Sequence, residues 1–256
     1  MITEYPLTKA NRINLAKAFR NAPRVDISIE CVLEGQMGKT YVDDLDNPST
    51  YKIQIGPFFY FAGDPSSEGG QEMLKNIKPY TLFMPSSVGW LEADKKMHGE
   101  NLIGFDRYSF SSECLSLKHL QGLCQDSKFS KDIKQMDLPF LSQIWGQDHF
   151  IDVSDFDSPS DFIERGIGYY LERGGKIVGA AYSSLVCSKG IEVSIFVSDD
   201  YRRQGIATTL AARLIKWCLE NNVDPHWDAA NPESRKLAEK LGYIPTGTYQ
   251  AYYLKP

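Results

Sequence analysis

The sequence predicts an α/β (α+β) protein in two parts, on three observations. Residues 168–197 read as an antiparallel meander, the period turns helical from Ala207, and the first hundred residues mix short strand-like runs with amphipathic helices.

In the first part, Ile13, Leu15, Ala16 and Phe19 cluster near one helical face that ends before Pro23, and another apolar run follows over 25–32. Short β-rich runs come next at 40–42, 51–55 and 58–62, separated by the Asp/Asn/Pro and Gly-Pro punctuation that makes turns. A helix over 71–78, a strand over 80–84, a helix over 87–97 and strands near Leu102 and over 107–110 continue the pattern. Residues 115–123 form a short amphipathic helix, and the polar Gln125-Asp126-Ser127-Lys128 after it predicts a boundary between domains 1–125 and 126–256.

The second part carries cleaner signals. Ser158-Pro159-Ser160-Asp161 sets a cap, a proline at the first helical position and an acid at the third, which predicts a short helix. Strands over 168–173 and 176–184 meet at Gly174-Gly175, a pair suited to the positive φ angles of a tight hairpin. Ser188-Lys189-Gly190 turns the chain into a strand in which Ile191, Val193, Ile195 and Val197 alternate with the other face. Leu210, Ala211, Leu214, Ile215 and Cys218 then share one stripe of a helix.

Composition narrows the class. A chain of 256 residues is long enough for two modest cores, and 42% hydrophobic with 24% charged residues describes an ordinary globular protein. The net charge of −5 gives no general attraction to nucleic acid or anionic lipid, so neither partner is expected and any anion site must be local. Residues 1–10 do not read as a secretory signal, and no apolar run approaches the ~20 residues that span a bilayer. Five cysteines without a C-x-x-C pair argue against a disulfide framework or zinc knuckle, and point to a reducing cytoplasm.

Chemistry concentrates at residues 201–207. A strand that passes through a glycine turn directly into a helix presents unpaired N–H groups and the positive end of the helix dipole, which is a ready anion site. Gly205 lets the backbone approach a ligand, Ala207 leaves the entrance open, and Arg202 and Arg203 add charge suited to a diphosphate. The turn lacks the lysine and hydroxyl pair with which an ATP loop serves phosphate and magnesium, so the ligand is expected to bind without a metal.

The spacing of Val197, Arg202, Gly205 and Ala207 resembles the pyrophosphate loop of the GNAT acyltransferase superfamily. The likeness continues through Trp227-Asp228-Ala229-Ala230-Asn231-Pro232-Glu233-Ser234 and Leu237-Ala238-Glu239-Lys240-Leu241-Gly242-Tyr243, an N…LGY ending that is the second GNAT signature. It is dense over 166–252 and thinner around Tyr41-Val42-Asp43-Asp44 and Ala62-Gly63-Asp64; more narrowly, 192–252 resembles the bacterial group that includes the zwittermicin-resistance acetyltransferase. The resemblance implies a C-terminal GNAT fold, a mixed and mostly antiparallel sheet flanked by helices. It also implies acetyl-CoA (coenzyme A) as cosubstrate, no metal, and transfer of an acetyl group to the amine of a small molecule, with a homodimer left open. Backbone N–H groups of Gln204, Gly205, Ile206 and Ala207, with Thr208, would hold the pyrophosphate beside Arg202 and Arg203. The strand at Phe196 and Val197 would pair with the pantetheine arm, and Asn231 and Ser234 would complete the grip.

Direct transfer needs a neutral amine, and Glu192 on the non-core face of its strand is the candidate base; a solvent-facing strand carboxylate is the other reading. Asn231 reads equally as the cap of a helix opened by Pro232, which is compatible with a CoA role. Asp228 reads as a structural hydrogen-bonding residue. Ala238 stands where many GNAT enzymes carry the tyrosine that protonates the leaving thiolate, so the acid falls to Tyr243, Tyr249, Tyr252 or solvent. The missing tyrosine also keeps a non-catalytic acyl-CoA-binding or regulatory module as the alternative. The N-terminal order of elements resembles a decayed GNAT unit without a phosphate loop, with an acceptor pocket expected between the halves.

Other signals carry less. Residues 35–40 hint at a P-loop but the glycine spacing is two short and a strand follows. Asp152, Asp155, Asp157 and Asp161 lack the glycine and glutamate of an EF-hand. His98, His119, His149 and His226 have no metal-ligand spacing, and Cys187 and Cys218 sit on apolar patterns as core thiols.

Overall fold

Two compact units divide the chain, and each has the helix-flanked sheet that the sequence predicts. The computed structural model describes residues 1–147 and 150–256, so His149 lies outside the described residues. Unit 1 is Met1–Arg107 with Thr248–Pro256, and unit 2 is Tyr108–Gly247.

Unit 1 runs β1 (Thr3–Glu4), α1 (Lys9–Ala18), α2 (Ser28–Leu33), β2 (Lys39–Val42), β3 (Thr50–Ile55), β4 (Phe58–Gly63), α3 (Glu68–Lys75), β5 (Leu82–Pro85), α4 (Val88–His98) and the first part of β6 (Leu102–Ser111). Residues 28–32 of the apolar run 25–32, which has no clear period, lie in the helix α2; Asp26 accepts from Ser28 N (2.9 Å) at its start. Strand β2 begins at Lys39, so the glycines of residues 35–40 make a turn into a strand and not a phosphate loop. β2, β3 and β4 form an antiparallel meander, and β5 returns parallel to β4, pairing Phe58 to Phe61 with Leu82 to Pro85. Trp90, stacked on Phe61 at 5.2 Å, centres a core with Met73, Leu74, Ile77 and Phe83.

Unit 2 takes the end of β6 and continues with α5 (Leu117–Gln125), β7 (Lys134–Gln135), α6 (Leu138–Ile144), α7 (Pro159–Arg165), β8 (Gly168–Arg173), β9 (Lys176–Cys187) and β10 (Gly190–Val197). After β10 come α8 (Ile206–Glu220), β11 (Pro225–His226), β12 (Asp228–Ala229), α9 (Pro232–Leu241) and β13 (Ile244–Leu254). The hairpin at Gly174-Gly175 has φ of 57° and 73°, as the dipeptide predicts. Strand order is β11-β10-β9-β8-β7, antiparallel except for the parallel β10–β11 pair. Burial of the α8 stripe, with Leu210, Ala211, Leu214, Ile215 and Cys218 all 0% exposed, ties α8 to the sheet and pushes the Cys218 thiol up to about 12. Among the described residues no helix is long and apolar enough to cross a membrane.

The units meet the chain at different points from the boundary expected near Gln125. Helix α5 packs on α8 through Leu120 and Cys124, which places it in unit 2, and the divisions fall inside β6 and β13. The polar run 125–128 reads as a linker only because its packing partner is remote: Ser127 Oγ lies 2.6 Å from Thr209 Oγ1 on α8. The second division sends residues 248–256 back to unit 1, where Leu254 joins the core and Tyr252 pairs with Phe83.

Candidate functional site

Helix α8, the longest in the protein at 15 residues, begins without a side-chain cap. Seven other helices, α1, α3, α4, α5, α6, α7 and α9, have a Ser, Thr, Asp or Asn side chain accepting from a first-turn N–H, and α2 has Asp26. At α8 the capping position is Gly205, left-handed at φ 91°, ψ 0°, with open space where a Cβ would stand. The first-turn N–H groups and the dipole are therefore turned to an open entrance, the arrangement that receives phosphate.

The turn before it is braced from within. Arg202 donates from Nε to Val197 O (3.2 Å) and pairs with Asp199 at 2.7 Å, while Gln204 Nε2 donates to Asp200 O (3.3 Å). Arg202 thus fixes the loop, and Arg203 supplies the exposed charge from a left-handed backbone at φ 59°, a conformation that non-glycine residues adopt at a cost and that clusters at functional sites. The side chain of Ile206 is 1% exposed and belongs to the core, so Ile206 and half-buried Ala207 can offer only main-chain groups. Thr208 Oγ1 accepts from Lys240 Nζ at 3.3 Å.

Gly179 on β9 sets how closely this entrance lies to the sheet. A Cβ there would stand 2.9 Å from Ile206 Cγ2 and 3.0 Å from Leu210 Cδ1, so only glycine lets the first turn of α8 rest on β9. Gly179→Ala is expected to destabilise the protein by about 1–3 kcal/mol by lifting the helix start, as urea unfolding would read.

The second feature is an opening beside β10. Strand β11 pairs with it only at Ile191↔Pro225 and Glu192↔His226; the chain then leaves, and β12 pairs with Ser109 and Tyr108 of β6. Residues 193–197 of β10 keep β9 on one side and have no strand on the other among the described residues. A bulge at Glu192/Val193 in the β9 register marks where the opening begins. An unpaired strand edge of this kind accepts an extended ligand through main-chain hydrogen bonds. Phe196 turns its ring onto Phe150 at 4.5 Å, and Val197 packs on the α8 side.

Glu192 stands at the head of this opening, half-buried, with Oε1 accepting from Asp228 N at 3.1 Å. Asp228 thereby holds the carboxylate's orientation through its backbone, in line with a structural role. Asn231 caps α9 by accepting from Ser234 N (2.8 Å), which engages its oxygen and not its NH2 donors. Ser234 Oγ accepts from Trp227 Nε1 at 3.2 Å. The structure therefore gathers Glu192, the 193–197 edge and the α8 entrance along one strand and its exit.

The candidates for a general acid separate. Ala238 is 0% exposed in the core of unit 2, so no proton donor stands at that position. Tyr243 is buried, donates to Pro225 O at 2.7 Å and is held well above the usual phenol range by burial. Tyr249 accepts from Arg107 Nε (3.2 Å) and the Tyr252 ring stacks on Phe83 (5.9 Å), both within unit 1. The sequence reading missed Gly179, Ser127 and Lys240. A glycine inside the β9 pattern was the available signal for the first; nothing local marked the other two.

A profile of the GNAT acetyltransferase family matches residues 17–252. An uncharacterized N-acetyltransferase of Bacillus subtilis, YdfB, is 28% identical over 230 residues, covering 84% of this chain and 85% of that protein. The ribosomal protein bS18-alanine N-acetyltransferase of Escherichia coli is 27% identical over 124 residues, covering 47% of this chain and 84% of that protein. The crystal structure of a GCN5-related N-acetyltransferase-like protein from Streptococcus suis is similar over 97% of this chain and 100% of that chain, with a TM-score of 0.83 and 30% identity.

Proposed function

The chain belongs to the GNAT acetyltransferase family, and from that premise we propose that it transfers the acetyl group of acetyl-CoA directly to the amine of a small molecule. The observation that carries the reading is the uncapped start of α8 beside the unpaired edge of β10. Main-chain N–H groups of Gln204 to Ala207, with Arg203 and Thr208, would take the CoA diphosphate; the edge at Phe196 and Val197, with the Asn231 NH2 and Ser234, would hold the pantetheine arm. Acetyl-CoA supplies the activated acyl group.

Glu192 is the base of this reading. Its carboxylate accepts a proton from the incoming ammonium, and the Asp228 N–H keeps the acceptor oxygen oriented. No side chain is assigned to protonate the leaving thiolate, which water can do because a thiol is already a modest acid.

Unit 1 supports a single site per chain. It repeats the order of unit 2, a meander, a helix, a parallel strand and a helix, and we read it as a decayed copy. Its β4 and β5 stay paired over four residues, leaving no opening. Its α3 is capped by Ser67 on Gly70 N (3.0 Å) and entered past Asp64 and Glu68, so an anion is refused there.

Calorimetry with CoA, and thiol release with an amine panel, test the reading together. We expect one CoA per chain. Gly205→Val places a side chain in the open entrance and is expected to weaken CoA binding at least about 100-fold, beyond the ~1 kcal/mol of backbone strain it adds to folding. The panel contains amino sugars, polyamines and amine antibiotics, for the narrower likeness to the zwittermicin-resistance group, and an N-terminal alanine peptide, for the activity of the Escherichia coli relative. Equal CoA affinity of Gly205→Val and the parent would overturn the site; tight CoA binding without thiol release for any amine would leave the acyl-CoA-binding module.

A further inference from the structure

A cleft of about 370 Å³ opens at the α8 entrance, between the end of α5 and the last turn of α9; it shares Gln204, Gly205 and Thr208 with the diphosphate reading, which leaves its far wall of Ser127, Lys128 and Lys240 unused. Ser127, Lys128, Gly205, Thr208, Thr209 and Lys240 line it, with Asp126 as the carboxylate at its rim. Two ammonium groups and three hydroxyls converge there, on a chain whose net charge is −5. A local excess of positive charge on an acidic protein is the signature of an anion subsite.

The cleft is held in shape. Lys240 has its backbone carbonyl fixed by the His119 ring (Nε2 to O, 2.8 Å), and its ammonium rests on Thr208 Oγ1 at 3.3 Å across the mouth. Because Thr208 accepts from the lysine, its own hydroxyl hydrogen is left to donate. On the opposite wall, Thr209 Oγ1 lies 2.6 Å from Ser127 Oγ and 3.0 Å from Gly205 O, which ties the 126–129 segment to the helix start. Lys128 stands beside it, its ammonium 5.0 Å from the Phe129 ring centre.

From this geometry we infer that the cleft is a phosphomonoester subsite, which reads the 3′-phosphate of coenzyme A through Lys240 and Lys128 and so separates it from the 3′-dephospho form. The inference rests on the CoA reading above. A phosphomonoester carries close to two negative charges at neutral pH and three acceptor oxygens, which matches ammonium and hydroxyl donors in a solvent-open cleft. The diphosphate groups assigned above, main-chain N–H of 204–207 with Arg203 and Thr208, do not make this distinction, because both nucleotides carry the same diphosphate.

The test is calorimetric binding of CoA and of 3′-dephospho-CoA at low ionic strength, with the intact chain and with Lys240→Met and Lys128→Met. The intact chain is expected to prefer CoA about tenfold, and that preference should fade in 0.5 M salt. Lys240→Met should lose about tenfold in CoA affinity and nothing for 3′-dephospho-CoA, whose unchanged binding also shows that the variant is folded; Lys128→Met should lose about threefold. Equal affinity of the intact chain for both nucleotides overturns the subsite alone, as does a Lys240→Met variant that weakens both equally. Binding of neither nucleotide by the intact chain overturns the CoA reading itself.

Discussion

Glu192→Gln is expected to lower turnover with a primary amine about 10²- to 10³-fold at pH 7, while CoA affinity stays within about twofold. The substitution isolates proton acceptance because the Gln carbonyl oxygen can still accept from Asp228 N, the bond that Glu192 Oε1 makes at 3.1 Å. The pairing of β10 with β11 at this residue uses main chain and does not depend on the carboxylate. The deficit should shrink as the pH approaches the ~10 at which an alkyl ammonium loses its own proton, since the base is then no longer needed. Parent-like turnover of Glu192→Gln across the whole pH range would reduce Glu192 to a strand carboxylate that merely braces Asp228.

Asp94→Asn is expected to stabilise unit 1 at pH 8 and to leave it little changed at pH 4. Asp94 is 0% exposed on α4, neither carboxyl oxygen has a hydrogen-bond donor, and burial pushes its pKa up to about 7. The groups facing it are His98, 3.6 Å away on the same helix, and Tyr252 from β13. The folded state holds a proton that the unfolded chain releases near pH 4, so the folded state binds more protons between the two values. Stability therefore falls as pH rises from about 4 to about 7 and levels off above, by about 2–4 kcal/mol for a shift of this size. Asparagine removes the titration and with it the slope. Trp90, one turn before Asp94 and the sole tryptophan of unit 1, reports the transition in urea by fluorescence. A parent protein whose unit 1 is as stable at pH 8 as at pH 5 would show that Asp94 is ionised at little cost.

Much of the site was legible because its signals are local. Gly205 before an apolar helical stripe, the alternation of Ile191 to Val197 and the Asn231-Pro232 start of α9 each declare themselves within a few residues. The opening beside β10 was not legible. It exists because β11 pairs for two residues and β12 then joins β6, more than a hundred residues earlier in the chain, and neither short strand has a pattern of its own. The cleft at Lys240 has the same difficulty, since it needs the ends of α5, α8 and α9 at once. Helix α6 is a different case. Asp137 with Pro139 at the second helical position is a variant of the cap and first-position proline at residues 158 and 159, and Asp137 does accept from Phe140 N at 2.9 Å, so a local signal was present. The boundary expected near Gln125 shows the converse, a polar run that reads as a linker and is tied to α8 by a hydroxyl contact.

The return of residues 248–256 to unit 1 has a consequence for how the protein is made. Leu254 and Ala251 are 6% and 0% exposed, so the first hundred residues cannot close their interior until residues 248–256 have left the ribosome. Vectorial synthesis would ordinarily let an amino-terminal domain settle first. Here the order is inverted: unit 2 can mature from contiguous chain, and unit 1 waits for residues 248–256, which are translated 140 residues after its first part ends.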